Sequence, residues 1–498
     1  MDVTPNLLCY NKTMQESFYF YDLETSGLNP RMDRIMQFAG QRTDAEFNPI
    51  GEPANILVEL SDDTLPSPGA IMVTGITPQS TKQDGLTERE FCQFFIHEVA
   101  TPSTTILGYN SVRFDDEFIR ATLWRNFYDA YEWQWKDGRS RWDMLDVVRL
   151  TRALRPEGIE WPLTPDGKAT NRLELLTKLN GISHEHAHDA LADVVALIEV
   201  TKLVKQKQPQ LFNYLYNLRN KRAVQRLVNL QNPQPFIYAS GRYPSQFDKT
   251  TVAFPFASAK NDNVLVFDLR YNLEEILQAE QDGTYIEKYG NHWQKANPKK
   301  AKIDFCPIIK TLQYNHCPAV APIGVLEKDD GWNKIKLAKE QIDENLQCLQ
   351  KHPEFTERVQ KIIDSRPEFP PAVDPESALY DGFMDDRDRK LCEVVRNNGA
   401  EDLADFQPPF SDERLPDLLL HYKAKNFPEC LAANEVEQWE KYRIARLSRQ
   451  APKFMAELTN IQKDLAADRP WAGKTVEDCA YLVEELKLWY ESLQPGDY

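Results

Sequence analysis

Two acidic side chains, Asp22 and Glu24, lie two residues apart at the end of the apolar segment YFYDLETSG. Alternate residues of a β-strand point to the same face, so this segment predicts that both carboxylates project from one side of a sheet. Neighbouring carboxylates repel each other unless they are protonated or bound to cations, and hard divalent cations prefer oxygen ligands. The pair therefore predicts an Mg²⁺ or Mn²⁺ site, although a strand that ends in a solvated acidic turn has the same pattern.

A further candidate carboxylate lies in the segment GYNSVRFDDEF. Asp115 begins a predicted helix directly after a short buried strand, and Asp116 is the competing choice. The spacing Asn-x-x-x-Phe-Asp favours Asp115 as the functional group. An aspartate at the start of a helix can also serve only as its N-cap, so that alternative stays open.

The third segment, HEHAHDALADVVAL, contains His188 and Asp193 five residues apart. Asp189 can cap the helix that follows, which leaves His188 on the entering loop and Asp193 in the second turn. Histidine is the usual general base near neutral pH, so the pair predicts an imidazole beside a fixed carboxylate. The alternating His184, His186 and His188 could instead hold a transition metal or be solvated loop residues.

The elements that position these groups follow an α/β pattern over residues 1–208, where strand-like and helix-like segments alternate. The predicted strands are Phe18–Leu23, Met36–Thr43, Ala54–Leu60 and Thr105–Tyr109, and the predicted helices are Leu86–Ala100, Asp115–Phe127, Trp142–Leu154, Arg172–Leu179 and Ala190–Lys207. Residues 209–365 predict a small β-rich domain with helices from Lys334 to Ile363. A proline cluster at 367–371 marks a linker, and residues 366–498 predict a helical domain.

The composition excludes several classes of protein. The 498 residues include 42% hydrophobic and 27% charged side chains and carry a net charge of −17, the balance of a globular protein rather than of a disordered, collagen-like or disulfide-dense chain. No run approaches 18 apolar residues, and the N-terminal sequence lacks a basic stretch followed by an apolar one, so neither a membrane span nor a secretory signal is expected. The eight cysteines form no CxxC pair, which argues against a thiolate zinc site and favours a reducing, cytoplasmic compartment.

The segment 201–247 reverses the sign of the chain, because it contains eight basic residues and no acidic residue. Phe212, Tyr214 and Tyr216 are interleaved with these cations. Basic groups neutralise phosphates while aromatic rings stack on unpaired bases, so the segment predicts a path for single-stranded nucleic acid. A solvated helix face with its aromatic residues in the core is the alternative. A second basic run, 441–453, has a helical context that favours a solvated face.

The combined pattern Asp-x-Glu, Asp and His-x4-Asp resembles the DEDDh class of 3′→5′ exonucleases, which have an RNase H-like fold. The stretches GEPANILVELSDDTLPSPGAIMVTGITPQ, ILGYNSVRFDDEFIR, SRWDMLDVVRLTRALRPEGIEWP and AHDALADV resemble the bacterial exonuclease I family. The later stretches LYDGFMDDRDR and YKAKNFPE are similar to it as well. The resemblance implies an RNase H-like exonuclease domain with a mixed β-sheet, followed by an SH3-like β-rich domain and a C-terminal α-helical domain.

The resemblance also implies an exodeoxyribonuclease that releases 5′-mononucleotides stepwise from the 3′ end of single-stranded DNA, in DNA repair and recombination. Two Mg²⁺ ions, for which Mn²⁺ would substitute, would be held by Asp22, Glu24, Asp115 and Asp193, and His188 would take the proton from the attacking water. The residues implied in contacts with the strand are Glu24, Arg172, Arg120, Tyr131, Trp135, Arg149 and Lys221. Tyr131 and Trp135 could instead be core aromatic residues.

The family resemblance further implies partners and a location. The expected partners are a 3′ end of single-stranded DNA and the acidic C-terminal tail of single-stranded-DNA-binding protein, with a monomeric enzyme in the cytoplasm that associates with the nucleoid during function. Three other functions fit part of the pattern: a DEDDh nuclease acting on RNA or short oligonucleotides, a proofreading subunit of a polymerase, and a catalytically silent nucleic-acid-binding protein. The long region beyond residue 208 argues against the first, and the intact acidic and histidine residues argue against the last.

Overall fold

The first sheet contains five strands and is mixed. The computed structural model describes residues 16–184, 189–290, 294–295, 299, 305, 308–365 and 370–494. The strands are β1 (Ser17–Thr25), β2 (Ile35–Thr43), β3 (Ala54–Leu57), β4 (Thr104–Gly108) and β5 (Ser140–Asp143), in the order β3-β2-β1-β4-β5. Strand β1 runs antiparallel to β2 and parallel to β4, and β4 runs parallel to β5. The predicted RNase H-like exonuclease domain with a mixed sheet is confirmed.

Helices cover this sheet, and several of them begin at residues whose side chains cap the helix. They are α1 (Pro68–Thr74), α2 (Pro78–Asp84), α3 (Glu88–Phe94), α4 (Asp115–Arg125), α5 (Met144–Leu154), α6 (Leu173–Leu179), α7 (Ala190–Lys207), α8 (Pro209–Asn217) and α9 (Lys221–Leu227). Thr87 and Glu90 form the predicted capping box at α3. Asp189 caps α7 by accepting a hydrogen bond from the Ala192 N–H at 3.0 Å. Trp142, predicted to begin a helix, instead lies in β5, and α5 begins two residues later.

The SH3-like region contains a second, antiparallel sheet. Its strands are β6 (Phe236–Ala239), β7 (Thr250–Ala259), β8 (Asn263–Asp268), β9 (Ile309–Leu312) and β10 (Val320–Pro322), in the order β10-β6-β7-β8-β9. Its helices are α10 (Leu273–Gln281), α11 (Tyr285–Tyr289), α12 (Gly331–Lys334), α13 (Lys339–Gln350) and α14 (Pro353–Asp364). One hydrophobic core runs from Trp142 and Phe212 into Phe236 and Val266, so the exonuclease and SH3-like regions are packed together without a solvent layer.

The last part of the chain is helical, as predicted. Its helices are α15 (Asp386–Asn397), α16 (Ala400–Ala404), α17 (Leu415–Asn426), α18 (Ala433–Ala466) and α19 (Val476–Ser492). Side chains of α18 such as Leu458 and Ile461 pack against Met36 and Ile71 of the exonuclease region. Where the structure describes the chain, no helix has the length and apolar character needed to span a bilayer.

Buried ion pairs also join the C-terminal helices to the exonuclease region. Glu376 accepts a hydrogen bond from Arg34 Nη2 at 2.5 Å, and the Asp63 carboxylate lies 3.2 Å from Lys425 Nζ and 3.3 Å from Arg446 Nε. These cations hold the pKa values of the Asp63 and Glu376 carboxyls below their usual range. Arg446 is fully buried, so the prediction that the run 441–453 forms a solvated face is wrong for this residue. The network fixes how the C-terminal helices sit on the exonuclease sheet.

Candidate active site

Three carboxylates converge where β1 ends and α7 begins. Asp22 and Glu24 are alternate residues of β1 that pair with Ala39 and Gln37 of β2. Asp193 lies in the first turn of α7, which packs against both strands. One carboxylate oxygen from each of Asp22, Glu24 and Asp193 lies within 4.8 Å of the other two. The structure therefore brings together three of the four carboxylates predicted to hold metal ions.

The raised pKa values of Asp22 and Glu24 indicate that too little positive charge lies near these carboxylates. Burial raises the pKa of Asp22 well above its usual range, and the nearby charges of Asp115 and Asp193 raise it further. Burial and the charge of Asp22 raise the pKa of Glu24 to about 8. Oxygen donors at this spacing are the ligands that a hard divalent cation prefers, and such a cation would supply the missing positive charge. The residues present thus fit a divalent metal centre.

The structure also separates the roles of the adjacent Asp115 and Asp116. Asp116 accepts hydrogen bonds from Tyr21 Oη at 2.6 Å and from Arg141 Nη1 at 2.5 Å, so its carboxylate is engaged in a buried structural pair. Within the described part of the chain, no cation forms an ion pair with Asp115. Burial and the neighbouring Asp116 raise its pKa well above the usual range, and its charge acts on Asp22. The prediction from the sequence spacing that Asp115, and not Asp116, is the functional carboxylate is consistent with these contacts.

Asp143 supports the site from β5 and was not predicted from the sequence. It ends β5, and its carboxylate accepts hydrogen bonds from the Asn110 N–H at 2.9 Å and the Val112 N–H at 3.2 Å. It also caps α5 through the Leu145 N–H. Asn110 has a left-handed backbone, with φ of 71°, at the start of this turn. Asp143 therefore holds the turn that leads to Asp115, and only the pairing of β4 with β5 brings it there.

His184 contacts the acidic group directly. Its Nε2 lies 2.7 Å from Asp193 Oδ1, its Nδ1 lies 3.1 Å from Thr177 Oγ1, and its side chain is only 2% exposed. The interpretation of His184 as a solvated loop residue is therefore wrong. His188, the predicted general base, lies outside the described residues, as does His186.

A cavity of about 410 Å³ opens beside the carboxylates. Asp22 and Asp193 line it, and the predicted strand contacts Arg149 and Arg172 are among its other lining residues. Lys249, the residue directly before β7 in the SH3-like region, lines it as well. Burial and the nearby Arg149 lower the pKa of Lys249. The predicted basic segment ended at residue 247, because Asp248 interrupts the run, and so it missed this cation.

The other predicted strand contacts do not line this cavity. Arg120 is buried, forms an ion pair with Glu117 and lies 5.4 Å from the centre of the Tyr131 ring. Trp135 is 63% exposed, which excludes the core alternative for that residue. Lys221 Nζ pairs with an exposed carboxylate of the SH3-like region at 2.8 Å. Their roles in DNA binding remain predictions.

The aromatic residues of segment 201–247 are mostly structural. Phe212 is buried against Trp142 at 5.1 Å between ring centres. Tyr216 packs on Trp142 and Phe18, and the guanidinium of Arg219 lies 3.6 Å from the centre of its ring. The core alternative is therefore correct for Phe212. The positive charge of the segment comes from its lysine and arginine side chains.

Family models match nearly the whole chain. Residues 19–201 match the family described as Exonuclease, residues 219–365 match the Exonuclease I SH3-like domain, and residues 373–493 match the Exonuclease I C-terminal domain. The matched ranges correspond to the two sheets and the helical region described above.

Individual proteins are similar over the same extent. Exodeoxyribonuclease I of Haemophilus influenzae is 39% identical over 447 residues, which is 89% of this chain and 93% of that protein. The crystal structure of E. coli exonuclease I in complex with a dA16 oligonucleotide superimposes with a TM-score of 0.87 and 35% identity, covering 96% of this chain and all of that one. A zinc-bound form of an E. coli exonuclease I complex with single-stranded DNA matches with a TM-score of 0.85 and 35% identity, over 96% of this chain and 99% of the other.

Proposed function

The chain belongs to the exonuclease I family and is a DNA exonuclease, and we propose that it degrades single-stranded DNA from the 3′ end to 5′-mononucleotides, in DNA repair and recombination. The observation that supports this reaction best is the convergence of Asp22, Glu24 and Asp193 within 4.8 Å beside a cavity that also has basic residues in its lining. The relatives crystallised with single-stranded oligonucleotides support the choice of substrate.

Two Mg²⁺ ions are the proposed cofactors, and Mn²⁺ would substitute for them. Asp22, Glu24 and Asp193 would hold them together with Asp115. Two divalent ions neutralise charge on the attacking and leaving oxygens of a phosphodiester and lower the pKa of bound water. His188 is the proposed base that takes the proton from the attacking water. The four carboxylates supply four negative charges for two dications, so the loaded site accepts an anionic phosphate.

The cations of the cavity have a separate task. Arg149 and Arg172 line the cavity that Asp22 also lines, and Lys249 adds a cation from the SH3-like region. Such groups bind phosphate oxygens and set the register of the strand without reading its sequence. The remaining proposed strand contacts are Glu24, Arg120, Tyr131, Trp135 and Lys221.

Digestion of end-labelled DNA tests this proposal. We expect 3′-labelled single strands to lose label first in Mg²⁺, duplex DNA and RNA to be degraded poorly, and EDTA to stop the reaction. Asp22→Ala, Asp193→Ala and His188→Ala should each abolish most turnover, whereas Asp62→Asn, in an exposed ion pair, should not. Near-normal turnover by any of the three variants would refute that residue's role, and activity in EDTA would refute the metal requirement.

The proposed protein partner is the acidic C-terminal tail of single-stranded-DNA-binding protein, bound in a basic pocket on the exonuclease and SH3-like regions. The enzyme is proposed to act as a monomer in the cytoplasm, associated with the nucleoid, with domains at 1–208, 209–365 and 366–498. Stimulation by tail-bearing binding protein should be lost with a tail-less form. Equal stimulation by both forms would refute the tail interaction.

A further inference from the structure

A second group of metal-ligating side chains lies in the SH3-like region. Glu274 is in the first turn of α10, Cys348 is in α13, and His352 lies at the junction of α13 and α14. One donor atom from each lies within 4.8 Å of the other two. The Cys348 residue is 7% exposed, whereas the His352 and Glu274 side chains are 26% and 67% exposed. The group is therefore rooted in the core and open to an ion from solvent.

The imidazole of His352 is oriented by carboxylates on both of its nitrogens. Nδ1 lies 2.7 Å from Glu354 Oε1, and Nε2 lies 3.7 Å from Glu274 Oε1. When Nδ1–H donates to Glu354, Nε2 has no proton, and its lone pair faces the Glu274 carboxylate. Both of these groups are acceptors, and a cation between them would satisfy both. Histidine ligands of metals commonly donate their second N–H to a carboxylate in this way, which fixes the tautomer and the ring orientation.

Cys348 makes this donor set different from that of the catalytic carboxylates. Its Sγ lies 3.8 Å from Asn272 Oδ1, where the thiol donates a weak hydrogen bond. Thiolate, imidazole and carboxylate together suit Zn²⁺, whereas Mg²⁺ requires oxygen ligands. Tetrahedral zinc places its ligands about 3.5 Å apart, and the donor atoms lie within 4.8 Å of one another, so binding requires at most a contraction of about 1.3 Å. Rotation of the solvent-exposed Glu274 and the partly exposed His352 provides that movement.

We propose that Glu274, Cys348 and His352 form a Zn²⁺ site, with water as the fourth ligand and Glu354 orienting the imidazole. Cys348 releases its thiol proton to solvent when the ion binds, and the thiolate and the Glu274 carboxylate then balance the charge of the dication. The absence of CxxC pairs argues against a site built on that motif and does not bear on a mixed site with one thiolate. Because the ligands come from α10 and from the α13–α14 junction, the ion cross-links these helices.

Titration of the metal-free full-length protein with Co²⁺ tests the site, because a thiolate ligand gives Co²⁺ an intense near-ultraviolet charge-transfer band. We expect the band to saturate at one equivalent of Co²⁺ per protein. Zn²⁺ should abolish the band, and a large excess of Mg²⁺ should leave it intact. Cys348→Ser should lose the band, and Glu354→Gln should weaken Co²⁺ binding about 10–100-fold. Cys392→Ser, which alters another buried thiol, and Asp193→Asn should both retain the band.

Two results would overturn the proposal: no charge-transfer band in the wild-type protein, or an undiminished band in Cys348→Ser. If Cys348→Ser does not fold, His352→Gln gives the second test, since it keeps the thiol and removes the imidazole. An unchanged Co²⁺ affinity in His352→Gln would then also overturn the site. Exonuclease activity in Mg²⁺ should be the same for wild type and Cys348→Ser, because the two sites share no ligand.

Discussion

Replacing His184 by alanine should weaken binding of divalent metal without unfolding the protein. The Thr177 hydroxyl donates to the Leu173 carbonyl within α6 at 3.0 Å, and its oxygen lies 3.1 Å from His184 Nδ1. His184 Nε2–H then donates to Asp193 Oδ1 across 2.7 Å. The imidazole thus orients a proposed metal ligand from α7 against α6.

The magnitude follows from this one hydrogen bond. A hydrogen bond to a charged group contributes about 1.5–3 kcal/mol, and tenfold in affinity corresponds to about 1.4 kcal/mol. His184→Ala should therefore weaken Mn²⁺ binding roughly 10–100-fold, the range typical for groups that support metal ligands. At saturating Mg²⁺ the turnover number should recover most of its wild-type value, because the proposed ligands themselves remain.

Isothermal titration of chelator-treated protein with Mn²⁺ measures the effect, and thermal unfolding checks that the fold is kept. His184→Gln retains an N–H donor near the position of Nε2 and should recover part of the affinity, and Thr177→Val should lose less than His184→Ala. Unchanged Mn²⁺ affinity in His184→Ala would refute the positioning role. Tighter binding would show instead that a charged imidazolium competes with the metal for Asp193.

Three more results are expected. Because the pKa of Glu24 is raised to about 8, a metal ion that binds below that pH must displace its proton, so Mn²⁺ affinity should fall about tenfold for each unit by which the pH is lowered, per displaced proton. The free energy of unfolding of the metal-free protein should decrease as pH rises from 4.5 to 8. Titration in buffers of different ionisation enthalpy that shows no proton release on metal binding would contradict this. Glu376→Gln leaves buried cations unpaired and should lower the free energy of unfolding in urea by about 3–5 kcal/mol, whereas Asp62→Asn, in an exposed pair, should lower it by about 0–1 kcal/mol. Equal urea midpoints for the two variants would show that the buried network adds no stability. Lys249→Ala should raise KM for single-stranded DNA with little change in kcat, and it should reduce the slope of log binding constant against log salt concentration by about one. Wild-type values of KM and of this slope would exclude a phosphate contact.

The sequence was sufficient where local pattern and chemistry coincide. Asp22 and Glu24 were predicted correctly to share a face of the sheet. Their apolar, aromatic segment predicts a β-strand, and residues two positions apart in a strand point to the same side. Asp189 and the capping box at Thr87 were predicted for the same reason, since both depend on contacts within one turn. The choice of Asp115 over Asp116 rested on spacing and stays a prediction, with which the hydrogen bonds of Asp116 to Tyr21 and Arg141 are consistent.

Residues whose role depends on distant pairing were not predictable. Asp143 acts on the 110–115 turn only because β4 and β5 are parallel neighbours, and Trp142 lies in that strand although its local pattern favours a helix. Lys249 reaches the cavity because the SH3-like region packs on the exonuclease region. Arg446 looked like a surface residue because its helix is rich in charge, and its partner Asp63 is 383 residues away in sequence.

The placement of Lys249 bears on how the two regions divide the work. The proposed metal ligands belong to β1, α4 and α7, which are fixed by the mixed sheet, whereas the cavity is completed by Lys249, from the turn that precedes β7 of the other sheet. A phosphate held between them contacts both regions at once, so a substitution at their junction changes strand binding before it changes the geometry of the carboxylates. Because one continuous core joins the two regions, this division requires no relative movement of the sheets. Variants at the junction should therefore alter KM more than kcat, and variants along β1 should do the reverse.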